Sequence, residues 1–178
     1  MQVYFIGRGA PQKRVHLIAA TAKKMHEENL PVKFNFVGDV SKMINTNDYP
    51  YCSFFGNISD DARMKRVYEE ADILLMTSAF EGLPIVVMQM MAHVKIVVST
   101  AVDGIPDYIH HMENGLLIKA IDENDIVNEA VAHIKTLLLD PALRLRLGKR
   151  SREIAVEKFS RDVFCKTYRM LLKLDDDN

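Results

Sequence analysis

At 178 residues with 48% hydrophobic side chains, the chain holds enough apolar material for a sizeable core, which excludes disorder as its resting state and suits one large domain or half of a two-lobed protein. Lys and Arg number 23 against 24 Asp and Glu, a net charge of -1, so no overall basic field recruits nucleic acid or anionic lipid and any anion binding has to be local. The two cysteines, Cys52 and Cys165, have neither a CxxC nor a Cys/His metal spacing and read as reduced, and the opening residues lack a secretory leader, so a cytoplasmic location is expected.

Apolar runs then alternate with amphipathic stretches. Residues 3–6 read as a buried strand, 15–28 as a helix, 32–37 as a second strand and Phe54-Phe55 as a short third one. Ser59 ahead of Asp60 and Asp61 is a good N-cap for a helix over 60–71, because acids in a first turn complement the positive end of the helix dipole. A strand over 73–76, a helix over 84–92 and a strand over 96–98 follow, and Asn114-Gly115 turns the chain into a last strand over 116–118. Asp122 with Asp125 resembles a capping pair, and Asp140-Pro141 separates two helices. Residues 142–174 read as helical, with breaks at Gly148 and at Phe159-Ser160. Asp175-Asp176-Asp177-Asn178 reads as a frayed tail beyond a single domain over 1–174.

Residues 83–102 form a window apolar enough to suggest a membrane span. Pro84, Gln89, His93 and Lys95 interrupt it, and a lysine at mid-membrane costs about 2.5–3.5 kcal/mol, so the window reads as a core helix followed by a core strand. Strands this apolar, alternating with helices, require cover on both faces of a parallel sheet. The fold class is α/β with a doubly wound parallel sheet.

In open sheets of that kind ligands bind outside the carboxyl ends of the strands, so a site is expected in loops 7–14, 38–39, 56–58, 77–84 and 99–106. The most telling junction runs from Ser78 through Glu81-Gly82-Leu83-Pro84 into an apolar helix. Pro84 suits the first helical position, Gly82 lets a ligand approach the backbone, and free amides in the first turn attract an anion. Glu81 would repel a bare phosphate but accepts from hydroxyls, as a sugar joined to phosphate would supply. Arg8 and Lys13, in the turn after the first strand, could clasp a diphosphate from the same edge. Taken alone the two would read as solvated loop charges, but beside Glu81 and the helix start at the same sheet edge the diphosphate role leads, and removing either should leave the melting temperature nearly unchanged. Gly7-x-Gly9 has Gln12 where a dinucleotide fingerprint needs a third glycine, which argues against a nicotinamide site. Met88, Met90 and Met91 read as core filler, His93, His110 and His111 as structural or exposed, and Ser78 and Ser99 lack the context of a hydrolase nucleophile.

Phe5-Ile6-Gly7-Arg8, Lys13, Phe36-Val37-Gly38-Asp39, Phe55-Gly56-Asn57-Ile58, Tyr68-Glu69-Glu70-Ala71-Asp72-Ile73, Ser78-x-x-Glu81-Gly82-Leu83-Pro84 and Gly104-Ile105-Pro106-Asp107 follow in order. Their sum resembles the C-terminal, donor-binding lobe of family 4 retaining glycosyltransferases, one Rossmann-like lobe of the two-lobed GT-B fold, and the resemblance covers nearly the whole chain. It implies that Arg8 and Lys13 hold the donor diphosphate, with Gly7 in the same loop, and stabilise charge on the leaving phosphate. It also implies that Glu81 lies near the hydroxyls of the transferred sugar. The Gly82 and Leu83 backbone would meet sugar and phosphate, and Gly38 with Gly56-Asn57-Ile58 would border the base.

The second glutamate of the family's Glu-x7-Glu pattern falls on Gln89, which keeps an acceptor oxygen without the charge, so weaker ribose binding is expected. Val94 stands where the family has glycine and Ile96 where it has proline. The resemblance further implies a UDP- or GDP-sugar substrate, no cofactor and no metal, and a part in polysaccharide biosynthesis. It implies an N-terminal acceptor lobe in cis or on a separate chain, with membrane association only through that lobe. The same residues leave room for a degenerate lobe kept for association, and for a sugar-nucleotide epimerase or phosphorylase of the same architecture.

Overall fold

The computed structural model describes residues 1–172 and contains one parallel sheet of six strands. These are β1 (Gln2–Ile6), β2 (Lys33–Val37), β3 (Ser53–Phe54), β4 (Ile73–Met76), β5 (Ile96–Thr100) and β6 (Gly115–Ile118), in the order β3-β2-β1-β4-β5-β6. The helices are α1 (Val15–Glu27), α2 (Asp61–Glu70), α3 (Ile85–Ala92), α4 (Glu123–Leu139), α5 (Pro141–Phe159) and α6 (Arg161–Leu171). Strand order reverses between β1 and β4, so the loops that leave their carboxyl ends diverge and open a crevice there.

Alternation along each strand feeds two cores. Val3, Phe5, Ile73, Leu75, Val98 and Leu116 pack with α1 and α4, while Tyr4, Leu74, Met76, Val97 and Leu117 pack with α2 and α3. Residues 83–102 are α3 followed by β5: Val87, Met90, Met91 and Val97 belong to the second core, and Ile96 and Val98 to the first. Among the described residues no helix is long and apolar enough to cross a membrane.

Helix α5 serves both cores: Leu143 and Leu147 join the first and Ile154 and Ala155 the second. Gly148, expected to break the helix, lies inside it. A Cβ there would come within 2.5 Å of the Val94 carbonyl oxygen, so the missing side chain is the space into which the turn before β5 packs. Val94 itself has φ 63, left-handed backbone that a β-branched residue seldom adopts. The close seat on Gly148 is what holds this valine where glycine would be easier.

Helix ends correct two further expectations. Asp60 rather than Ser59 caps α2, because its carboxylate accepts from the Arg63 amide at 2.7 Å. Pro84 is extended, with ψ 135, and stands one position ahead of α3 as its N-cap. Asp122 caps α4 by accepting from Asn124, Asp140 closes α4 and caps α5, and Ser160 separates α5 from α6 as expected. Residues 173–174 and the Asp175-Asp176-Asp177-Asn178 tail lie outside the described residues.

The outer edge of β6 is covered by side chains. His111 Nδ1 accepts from the Leu117 amide at 3.1 Å, His133 Nε2 lies 3.1 Å from the Leu117 carbonyl, and Glu129 accepts from the amides of Lys119 and Ala120. Burial, with His133 and Lys119 nearby, pushes the His111 pKa down. Cys52 is half-buried and its thiol is pushed up to about 12 by desolvation, while Cys165 is exposed on α6.

Candidate functional site

The loop after β1 is stitched onto the end of β4. Arg14 has φ 44, and its guanidinium donates to the carbonyls of Thr77 at 2.6 Å and Ser78 at 2.8 Å. The Thr77 hydroxyl donates back to the Arg14 carbonyl at 3.0 Å, and the Ala79 amide to that of Gln12 at 2.7 Å. These bonds over-determine a left-handed conformation that costs a non-glycine residue about 1–2 kcal/mol.

The stitching brings Lys13 to Glu81. The Lys13 ammonium donates to Glu81 Oε1, and the Ser78 hydroxyl donates to the same oxygen at 2.6 Å. Only 17% of the lysine side chain and 9% of the glutamate side chain are exposed. Lys13 is thus no solvated loop charge, and the expectation that its loss leaves stability unchanged is corrected: removal would strand a buried carboxylate. Two ammonium hydrogens remain for a ligand. Glu81 Oε2 has no partner among the described residues.

From the other side, Asp103 Oδ2 accepts from the Glu81 backbone amide at 2.6 Å. Asp103 is also left-handed, with φ 44, and the Thr100 hydroxyl donates to the Ser78 carbonyl at 2.7 Å. Beyond Glu81 the amides of Gly82, Leu83, Ile85 and Val86 bond to no group among the described residues. They form a short row of donors at the positive end of α3.

The neighbouring loops close over each other by backbone bonds. Gly7 donates to Val37 at 3.0 Å, Gly9 to Asp39 at 2.9 Å and Gly38 to Gly56 at 2.7 Å, while the Asn57 side chain accepts from the Asp39 amide at 3.1 Å. Gly38 has φ 115, and a Cβ on it would lie 1.9 Å from the Gly7 oxygen. Gly7, Gly38 and Asn57 are therefore brought together; Ile58, next in the chain, lines a cavity of about 160 Å³ with Tyr4 and Phe55. Bonds from the Ser41 hydroxyl and amide hold the Asp39 carboxyl below the usual range. Arg8 lies exposed on the same rim and makes no hydrogen bond or ion pair among the described residues.

Gln89 sits farther along α3, where its Oε1 accepts from the Tyr68 hydroxyl at 2.5 Å. Tyr68 stacks on His93 with ring centroids 5.3 Å apart, and burial pushes the tyrosine pKa up and the histidine pKa down. Gln89 also lines an apolar groove of about 310 Å³ between α3 and α5, with Ile85, Met88 and Phe159. Met90 and Met91 are wholly buried filler, but Met88 faces that groove. The charged chemistry lies at the strand ends rather than in the groove, whose Arg152 donates to the Ala92 carbonyl.

Arg14 and Asp103 are the site residues that the sequence does not announce. Asp103-Gly104 is at most a turn dipeptide, and nothing in residue type marks a left-handed arginine.

A family model described as "Glycosyl transferases group 1" matches residues 1–140. The poly(ribitol-phosphate) alpha-N-acetylglucosaminyltransferase of Staphylococcus aureus is 26% identical over 162 residues, 87% of this chain and 32% of that protein. The lipopolysaccharide core biosynthesis glycosyltransferase LpsE of Rhizobium meliloti is 33% identical over 118 residues, 66% of this chain and 33% of that protein. In structure, a pneumococcal O-GlcNAc transferase in complex with UDP and GlcNAc superposes with TM-score 0.82 at 19% identity, over 99% of this chain and 36% of that one. Anabaena HepE in complex with UDP-glucose superposes with TM-score 0.79 at 20% identity, over 97% and 48%. The chain spans about a third of the length of these two curated relatives.

Proposed function

Because the chain belongs to the glycosyl transferases group 1 family, we propose that it is the nucleotide-sugar-binding lobe of a retaining glycosyltransferase, acting on a nucleoside diphosphate hexose. The observation that carries this reading is the Lys13–Glu81 pair at the point where strand order reverses, immediately ahead of the free amides of α3. Glu81 Oε2 accepts from a sugar hydroxyl. The remaining Lys13 donors, Arg8 and the amides of Gly82 and Leu83 take the diphosphate. Gly7, Gly38, Asn57 and Ile58 border the base, and Gln89 the ribose. In the transfer, the bond from the anomeric carbon to the phosphate oxygen breaks and its electron pair leaves with the nucleoside diphosphate. The acceptor oxygen bonds to the same face of that carbon and loses its proton. Fixed positive charge at the leaving phosphate is what this lobe supplies. A metal and a cofactor have no part in this proposal.

An acceptor lobe, in cis or as a separate chain, completes the cleft. The α6 face supports this, since the helix has no buried residue and exposes Phe164, Tyr168, Met170 and Leu171. UDP-glucose and UDP-N-acetylglucosamine are the first donors to try, given what the similar proteins hold or transfer. A cytoplasmic place in polysaccharide biosynthesis fits this reading. Calorimetric titration of UDP, GDP and their sugars tests it. Arg8→Ala and Lys13→Ala should each weaken diphosphate binding about 10- to 100-fold, as lost charge-assisted bonds do. Parent-like affinity in both variants would remove the phosphate role.

A second reading, a lobe that keeps the fold for association alone, draws on one observation. The Gln89 oxygen is already engaged by Tyr68. No binding of any of these ligands at millimolar concentration would favour it.

A further inference from the structure

Glu81 is fixed at two places by different loops. Lys13 and Ser78 hold one carboxylate oxygen, and Asp103, from the loop after β5, holds the backbone amide. A carboxylate held only by its oxygen could pivot about its own side-chain bonds. Anchoring the amide as well fixes the direction from which the side chain leaves the backbone. The same bond removes the Glu81 amide from the row of free donors, so that row starts at Gly82. The anchor residue has φ 44, outside the preferred range of a side-chain-bearing residue, and the neighbouring Gly104 lies against the Gly82 carbonyl, 3.5 Å from where its Cβ would be.

We infer that Asp103 is a positioning residue for sugar recognition: by accepting from the Glu81 amide it aims the free Glu81 Oε2 at the sugar, and so controls affinity for the sugar part of the donor separately from the nucleotide part. This rests on the function proposed above. Under that reading the base lies at Gly38 and Asn57 on other loops, and the diphosphate is taken by Lys13 and Arg8 of the β1 loop and by the amides of Gly82 and Leu83; Asp103 bonds to none of these groups.

The probes are UDP and UDP-N-acetylglucosamine, titrated into the full chain with parent, Asp103→Gly and Asp103→Asn sequences. Glycine adopts φ 44 without strain and removes only the acceptor, so the melting temperature should be no lower than that of the parent. Asparagine keeps an oxygen that can accept from the same amide. Asp103→Gly should weaken UDP-N-acetylglucosamine about tenfold while UDP stays within about twofold, and Asp103→Asn should recover most of the loss. Equal shifts for the two ligands, no shift for either, or no recovery with asparagine would overturn the inference while UDP binding leaves the functional reading standing. A parent chain that binds neither ligand would overturn both together.

Discussion

A lysine ammonium has three hydrogens, and Lys13 commits one of them to Glu81 before any ligand arrives. Because the pair is largely shielded, Lys13→Ala should destabilise the fold by about 3 kcal/mol, and adding Glu81→Gln should recover more than half of that by removing the stranded charge. Urea unfolding of the single and double variants measures this, and additive losses would show the two residues to be uncoupled. At position 89, glutamate would restore a charged acceptor shared between Tyr68 and a ribose hydroxyl. Gln89→Glu is expected to tighten UDP more than 2′-deoxy-UDP, and calorimetry showing an equal change would separate position 89 from ribose. The sequence points to Lys13 and Glu81 by residue type and position at one sheet edge, and to Gln89 by the family resemblance; the structure brings the first two together. Arg14 and Asp103 were not, since their importance comes from a left-handed backbone that a non-glycine residue does not advertise.

Every strand and helix type was legible from apolar period and caps, and the misses fall where one group's reach decides. Ser59 and Asp60 are both cap formers, and only geometry shows which one meets the Arg63 amide. Gly148 has the residue type of a helix end, yet it exists for its neighbour: α5 passes the turn before β5 there, with Val94 pressed into the gap. Val94→Gly should raise stability by about 0.5–1 kcal/mol, the relief of a left-handed β-branched residue less the entropy of an added glycine. That corresponds to a rise of about 1–4 °C in melting temperature for a chain of this size. Gly148→Ala should act the other way, by about 1–3 kcal/mol, because the new methyl meets a backbone oxygen rather than a yielding side chain. Differential scanning calorimetry resolves both signs, and a neutral Gly148→Ala would show that α5 can shift away from the turn.

Taken whole, the molecule should have an acid-sensitive side. His111 faces His133, Glu129 and Lys119, and its ring nitrogen must be unprotonated to accept from the β6 edge. Its folded pKa lies below the ordinary value of about 6.5, so the unfolded chain binds the proton first. Stability should be complete above that value and fall as the pH drops from it towards the lower folded value, with His93 acting in the same direction. His111→Asn, which accepts without titrating, should flatten that acid limb in denaturation curves taken between pH 7 and 5; an unchanged slope would assign it elsewhere. The doubly wound parallel sheet was readable from sequence; the strand order was not, because apolar runs do not say which strands are neighbours, and neither was the edge cover, which joins a loop histidine to one on α4. The interlock of Gly7, Gly9, Gly38 and Asp39 has an evolutionary corollary. Two crossing ribbons that share backbone bonds cannot lengthen or shorten independently, so transplanting one between homologues to alter base preference should yield folded chimeras only when its counterpart travels with it.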